Sequence, residues 1–471
     1  MNFDQIAALV VLVAVVGVLI HGRVRADVVA LTGAAVLLML GVVRPVEVQG
    51  AFASPALIAL AGLFVIAYAI ELSGLLGLLI REATKLAARF GSGGIWAVLA
   101  ACGGLGGFLN NTPVVVLAAP VVRDVAKSMK LSPKRFLMPL SHLTVLGGLL
   151  TLIGTSTNLL VNDMARNAGQ PVFSLFEITP VGLCLAVAGG LWLFLVSSRQ
   201  LGASVAADEA EQRRLAEEEE QRAEAREREN RRRHWFHLPK LGLPRLGESS
   251  NQDDGSGDAH LGDVELFQAA DRPFDLRRAM IALTVFVLVI VVAGLGWVPI
   301  ASSAFAGAVA LILLNVLTPE EAYAGLRPEI LLLIAGMVVI GIAFEVTGLA
   351  QAGAGVLIQY LQPFGPLAAL VVLYGVTLFA TELLSNATVA VLITPIAVAL
   401  AESLGVDPRP FLVAVMMAAS AAFATPFGYQ TNVLVYQMAG YSYMDFIKVG
   451  LPLNLITWAV AMVAIPIFFP F

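Results

Sequence analysis

Four short polar motifs interrupt otherwise apolar stretches of this chain. They are LNNTPVVVLAAP at 109–120, GTSTNLLV at 154–161, LSNATVAVLITP at 384–395 and TPFGYQTNVLV at 425–435. Asn, Ser, Thr, Gly and Pro in such surroundings supply amide and hydroxyl oxygens, freed backbone carbonyls and helix N-termini. Neutral oxygens suit a hard cation such as sodium, whereas the N-terminus of a half-helix favours an anion. Facing lipid, each of these groups would cost on the order of several kcal/mol. They must therefore face protein, an ion or a ligand. Asn110-Asn111-Thr112 and Ser385-Asn386-Ala387 read as the tips of two hairpins, each bringing an amide oxygen that only a bound ion or ligand is expected to satisfy. Pro113 then occupies the first turn of a new helix, where its missing donor is not needed. Gly154 in one motif and Pro426 and Gly428 in another break helices and release carbonyls.

The elements that position these motifs are membrane spans. The 471 residues are 58% hydrophobic and 13% charged, with a mean hydropathy of +0.84, which excludes a soluble globular fold. Apolar runs able to cross about 30 Å of hydrocarbon lie near 5–20, 27–43, 54–80, 136–160, 174–197, 279–298, 300–317, 330–350, 411–438 and 449–470. Stretches 94–122 and 366–400 are bent by polar residues and Pro, and read as re-entrant hairpins. The first run has no basic segment before it and no clear cleavage site, so it reads as a retained span. Cys102 and Cys184 lie in apolar runs without CxxC spacing and read as small packing residues.

Between the halves, 199–278 has a different composition: a charged Ala/Glu/Arg stretch over 206–233, then a polar, Gly-containing segment. It reads as a cytoplasmic linker and partner surface without chemistry, and His234, His237 and His260 within it lack ligand spacing. The predicted division is 1–198, 199–278 and 279–471. With the N-terminus outside, loops assigned inside carry twelve Lys and Arg, among them Arg23, Arg81, Arg123, Lys130 and Lys448. Those assigned outside carry three: Arg44, Arg166 and Arg409. Positive charge is retained on the cytoplasmic side, which sets the orientation in an inner (plasma) membrane.

The chain also repeats itself at an offset of about 274: LNNTPVVVLAAP over LSNATVAVLITP, SPKRFL (132–137) over DPRPFL (407–412), TNLLV (157–161) over TNVLV (431–435), and RPVE (44–47) over TPEE (318–321). Each unit holds five spans and one hairpin. Five is odd, so the second unit is expected upside-down. An all-α polytopic protein of two inverted repeats with broken helices at the midplane is the expected fold, and it is the architecture of secondary transporters.

Three intramembrane carboxylates admit proton chemistry. Glu71 and Glu345 are symmetry mates before a Ser/Thr-Gly turn, and Glu382 precedes the second hairpin tip. A carboxylate bonded to a nearby backbone is the plainer reading of the symmetric pair, and a packed polar residue that of His142. An intramembrane protease would need a Ser/His or paired-Asp arrangement, and no pair of membrane aspartates is present, so an enzyme is not expected. No feature points to nucleic acid.

At these motifs the sequence resembles the divalent-anion/sodium symporters, solute carrier family 13, within the ion transporter superfamily. The resemblance covers the chain apart from 199–278. It is closest to bacterial sulfate-type permeases, whose regulatory domains between the halves are replaced here by the short linker. The family carries Ser-Asn-Thr at each tip, where this chain has Asn-Asn-Thr and Ser-Asn-Ala. The resemblance implies a first sodium at Gly106, Asn110, Asn111 and Gly154, and a second at Thr381, Ser385, Asn386 and Ala424. It implies a small, divalent anion such as sulfate or a dicarboxylate at Asn110, Asn111, Thr112, Ser385, Asn386 and Thr388, and a homodimer in the lipid bilayer. Sodium-coupled symport by alternating access is the expected function, with proton coupling or sodium/proton exchange as the alternative.

Overall fold

The computed structural model describes residues 2–21, 24–197, 274–361 and 364–471, and all regular structure among them is helical. The first half contains α1 (Phe3–His21), α2 (Ala26–Met39), α3 (Pro45–Phe52), α4 (Pro55–Leu72), α5 (Leu75–Ala88), α6 (Ser92–Gly106), α7 (Asn111–Ser128), α8 (Lys134–Gly148), α9 (Ser156–Asn167) and α10 (Thr179–Trp192), which runs into a π-helical turn, Leu193–Ser197. The second half follows the same order with α11 (Leu276–Gly294), α12 (Ile300–Leu313), α13 (Pro319–Gly325), α14 (Pro328–Val346), α15 (Leu349–Leu361), α16 (Gly365–Ala380), α17 (Asn386–Leu404), α18 (Arg409–Ser420), α19 (Gln430–Ala439) and α20 (Tyr443–Phe468). Among the described residues six stretches are long and apolar enough to cross a membrane, and several shorter apolar helices accompany them. The all-α polytopic fold expected from the sequence is the one observed.

The internal repeat has a structural counterpart. Matched short motifs make related caps: the Glu47 carboxylate accepts from the Arg44 amide at the start of α3, and Glu321 does the same for the Thr318 amide at α13, where the Thr318 hydroxyl completes a capping box. Packing pairs exchange when the halves are exchanged: α2 lies on α14 and α4 on α12, α6 on α8 and α16 on α18, α9 on α17 and α19 on α7. Small residues make these approaches possible, as in membrane helix packing generally. A Cβ on Gly62 of α4 would sit 2.6 Å from the backbone of Ala304 in α12. One on Gly336 of α14 would sit 2.7 Å from the backbone of Ala30 in α2.

The stretches read as hairpins are helix pairs, α6–α7 and α16–α17, each interrupted at its polar tip. Stretches 136–160 and 411–438 are likewise two helices either side of a non-helical segment, 149–155 and 421–429. Gly182 of α10 and Gly450 of α20 lie directly against the carbonyls of Leu149 and Phe423, which holds each broken segment from behind.

One expectation about the fold needs correction. The stretch 54–80 is not one span: α4 ends at Leu72, Gly74 takes a left-handed φ of 70°, and a second helix, α5, starts at Leu75. Its counterpart at Gly348 (φ 77°) separates α14 from α15. These turns redirect the chain where the apolar run alone suggested continuation, and α5 and α15 pack on α6–α7 and α16–α17. The linker read at 199–278 lies outside the described residues except for its last five, and α11 already begins at Leu276, inside that boundary.

Candidate functional site

The four broken elements place four helix N-termini around one cavity of about 390 Å³. Asn110 caps α7, its side-chain oxygen accepting from the Thr112 amide at 3.2 Å. Ser385 caps α17, accepting from the Thr388 amide at 3.3 Å while the two hydroxyls lie 2.7 Å apart. At α9 and α19 the capping positions, Thr155 and Tyr429, have extended backbones and make no side-chain cap, so the first amides of these helices are not met by their own side chains. Asn110, Thr155, Ser385 and Tyr429 all line the cavity. Four sets of first-turn amides and four positive dipole ends therefore converge on it. Leu60, Leu63, Phe64, Phe108 and Phe286 supply apolar walls; among the described residues no Lys, Arg or His lines it, and Glu382 is the lining carboxylate.

Beside the cavity, Asn111 is 1% exposed and its carboxamide oxygen has no hydrogen-bond partner among the described residues. Glycines crowd around it. A Cβ on Gly106 would fall 2.9 Å from that oxygen, and one on Gly148 would fall 3.2 Å from both the Asn111 amide nitrogen and the Gly154 carbonyl. A Cβ on Gly154 would meet the carbonyls of Gly148 and Gly107 at 2.5 and 3.0 Å. Glycine here leaves a nest of neutral oxygens that larger residues would fill, which suits a cation with oxygen ligands. Among the described residues no three His, Cys, Asp or Glu gather into a metal cluster, so any cation here would be held by neutral oxygens.

The second repeat differs. Thr381 Oγ1 lies 2.8 Å from Asn386 Oδ1 and 2.7 Å from the Ala419 carbonyl, while the Asn386 amide nitrogen has no partner among the described residues. The expectation that both tips present an amide oxygen lacking any protein partner therefore holds for Asn111 and fails for Asn386. The reason lies in the sequence: Gly106 stands where the second repeat has Thr381.

All ten residues expected at the site fall in this region. Asn110, Thr112, Gly154, Ser385 and Asn386 line the cavity; Gly106, Asn111, Thr381, Thr388 and Ala424 do not. Thr388 is fully buried, its hydroxyl paired with Ser385. Glu382 accepts from the amides of Ala424 (2.8 Å) and Thr425 (2.9 Å), from the Thr425 hydroxyl (2.8 Å) and from Asn454 Nδ2 (2.7 Å). Glu71 and Glu345 sit at the C-terminal ends of α4 and α14 and do not line the cavity. His142 is buried edge-on to Phe423 and Phe446, with ring centroids 5.2 and 5.9 Å away.

Tyr429 is a cavity-lining position that the motifs did not single out. Its hydroxyl accepts from Asn111 Nδ2 at 3.1 Å, and the next residue, Gln430, accepts from the Thr112 hydroxyl at 3.3 Å. These bonds tie the first tip to the second repeat. A tyrosine inside an apolar span reads as packing, and only the packing of α7 against α19 gives it a polar partner.

Comparison with known proteins agrees with this architecture. An uncharacterized transporter of Synechocystis, sll0640, is 26% identical over 91% of both chains, and the uncharacterized Escherichia coli transporter YfbS is 26% identical over the whole of both. Sodium/sulfate cotransporter 1 of Chlamydomonas reinhardtii is 33% identical over 30% of this chain and 16% of its own. The solved YdaH transporter of Alcanivorax borkumensis shares the fold, with a TM-score of 0.57 at 15% identity, covering 89% of this chain and 86% of that one. The family model CitMHS, citrate transporter, matches residues 12–405 and 383–471, so this multi-pass membrane transporter belongs to that family.

Proposed function

We propose that the protein is a sodium-coupled symporter of a small, divalent anion such as sulfate or a dicarboxylate, working by alternating access between two oppositely inserted repeats. The observation that carries this reading is the convergence of four helix N-termini on a cavity without a cationic side chain, next to the unpartnered oxygen of Asn111. The anion is held by first-turn amides and by the polar groups of Asn110, Asn111, Thr112, Ser385, Asn386 and Thr388. One sodium takes the nest of Gly106, Asn110, Asn111 and Gly154, and a second takes Thr381, Ser385, Asn386 and the Ala424 backbone. Because no lining side chain among the described residues is cationic and Glu382 is a carboxylate, the sodium ions and helix dipoles supply the charge that balances the anion. Sodium/sulfate cotransporters among the relatives support both the ion and the class of anion.

On this reading the first repeat is 1–198 and the second 279–471, joined by a cytoplasmic linker. The N-terminus is outside an inner (plasma) membrane, and the working unit is a homodimer. The test is uptake of labelled sulfate, succinate and citrate into proteoliposomes under imposed sodium, potassium or pH gradients. Accumulation of one anion driven by sodium alone is expected. Uptake that ignores sodium and follows the pH gradient would replace this reading with proton coupling.

A further inference from the structure

Glu382 is the carboxylate of the cavity wall, and its hydrogen bonding is complete. Oε1 accepts from the Ala424 amide and Asn454 Nδ2; Oε2 accepts from the Thr425 amide and hydroxyl. Four donors match the four acceptor positions of a carboxylate group. All four are neutral, and no ion pair joins Glu382 to Lys, Arg or His among the described residues. A partly buried, uncompensated charge at membrane depth is costly and acts strongly on its neighbours. The charge is also one-sided, since the first repeat has Gly107 at the matching position.

Its neighbours are specific. Thr381 precedes it in the chain, and Ala424 gives it an amide. Both belong to the second sodium site proposed above. Thr425, held by Glu382, in turn accepts from the Gly428 amide at 3.1 Å, so the same carboxylate orders the broken segment between α18 and α19.

We propose that Glu382 is a positioning residue with a fixed charge: it is the dedicated counter-charge of the second sodium, and it makes that site tighter than the one at Asn111. This rests on the sodium reading of the cavity. The two sites then fill in sequence, the Glu382 side first, rather than as equivalent halves of a symmetric pair.

Sodium binding to purified protein without any anion tests this, with sodium chloride exchanged against choline chloride at constant ionic strength and tryptophan fluorescence as readout. Wild type should titrate in two steps. Glu382→Gln should weaken the tighter step by on the order of ten- to hundredfold, the effect of one unit charge a few ångströms away in a partly screened site, and leave the weaker step in place. Glu382→Asp should recover most of that loss, because the charge returns. Asn454→Ala, which removes one donor but no charge, should shift sodium binding less than threefold. A Glu382→Gln protein that titrates like wild type overturns the proposal, as does an Asn454→Ala loss equal to that of Glu382→Gln, since the carboxylate would then be only a brace. Should Glu382→Gln fail to fold, Glu382→Asp decides: binding within threefold of wild type supports the fixed charge, and a tenfold loss overturns it. A wild type that ignores sodium removes the function proposal itself, an outcome distinct from a change confined to Glu382.

Discussion

Asn158 and Asn432 do the same work in the two repeats. Asn158 Nδ2 donates to the carbonyls of Gly148 and Thr151 at 3.4 and 3.0 Å; Asn432 Nδ2 donates to those of Ala422 and Thr425 at 2.9 and 3.3 Å. Each reaches back ten and seven residues and closes a broken segment on itself. The carbonyls freed by the helix breaks are thus partly satisfied by the first turn of the helix that follows, which fixes the remaining polar groups toward the cavity.

Asn158→Leu and Asn432→Leu should each destabilise the protein by about 2 kcal/mol or more, because two carbonyls in a closed environment lose their donor. Apparent unfolding temperature in detergent, measured for both variants, checks this. An unchanged temperature in both would mean that the broken segments are held by other contacts, such as those of Gly182 and Gly450.

The two tips should respond differently to loss of their asparagine. Asn111→Leu removes an oxygen with no protein partner and, on the sodium reading, a cation ligand, so sodium for half-maximal uptake should rise by about ten- to hundredfold with folding intact. Thr381→Val should instead leave Asn386 Oδ1 unpartnered and disturb the second site alone. Equal sodium dependence in Asn111→Leu and wild type would reduce that residue to a tie to Tyr429.

Much of this site was legible because polar groups in an apolar run are few, and each demands an explanation. The residues at 110–112, 154–158, 385–386 and 430–432 stand out on that ground alone, and the repeat told which pairs belong together. What the sequence concealed was of another kind. Ser73-Gly74, with Glu71 just before it, lies in a stretch that is otherwise apolar from 54 to 80, so hydropathy alone carries the span through the turn; the positive φ of Gly74 and the packing of α5 end it at Leu72. The pairing of Thr381 with Asn386, and of Tyr429 with Asn111, depends on how helices from separate parts of the chain approach, which no local pattern encodes.

The proposed orientation rests on the distribution of Lys and Arg and can be checked directly. A single cysteine at Ser256, in a background lacking Cys102 and Cys184, should resist membrane-impermeant maleimide in intact cells and react once the membrane is opened. Labelling from outside would reverse the proposed topology. Replacing the linker with a flexible spacer of similar reach should leave uptake in liposomes largely intact.

Gln430 gives the most direct test of where the anion sits. It opens α19, lines the cavity and accepts from the Thr112 hydroxyl through Oε1. Glu is nearly the same size and still accepts that hydroxyl, and an acidic residue in the first turn of a helix is locally favourable. Gln430→Glu should therefore fold normally while adding a negative charge to a cavity whose only lining carboxylate among the described residues is Glu382. An anion bound at the first turn of α19 would lose at least about ten- to hundredfold in affinity, the effect of one like charge nearby in a partly screened site. Sodium binding without anion should not weaken, because the added charge attracts cations. The KM for the transported anion should thus rise steeply while the sodium titration stays in place or tightens. An unchanged anion KM would move the substrate away from α19, toward the α7 and α17 tips.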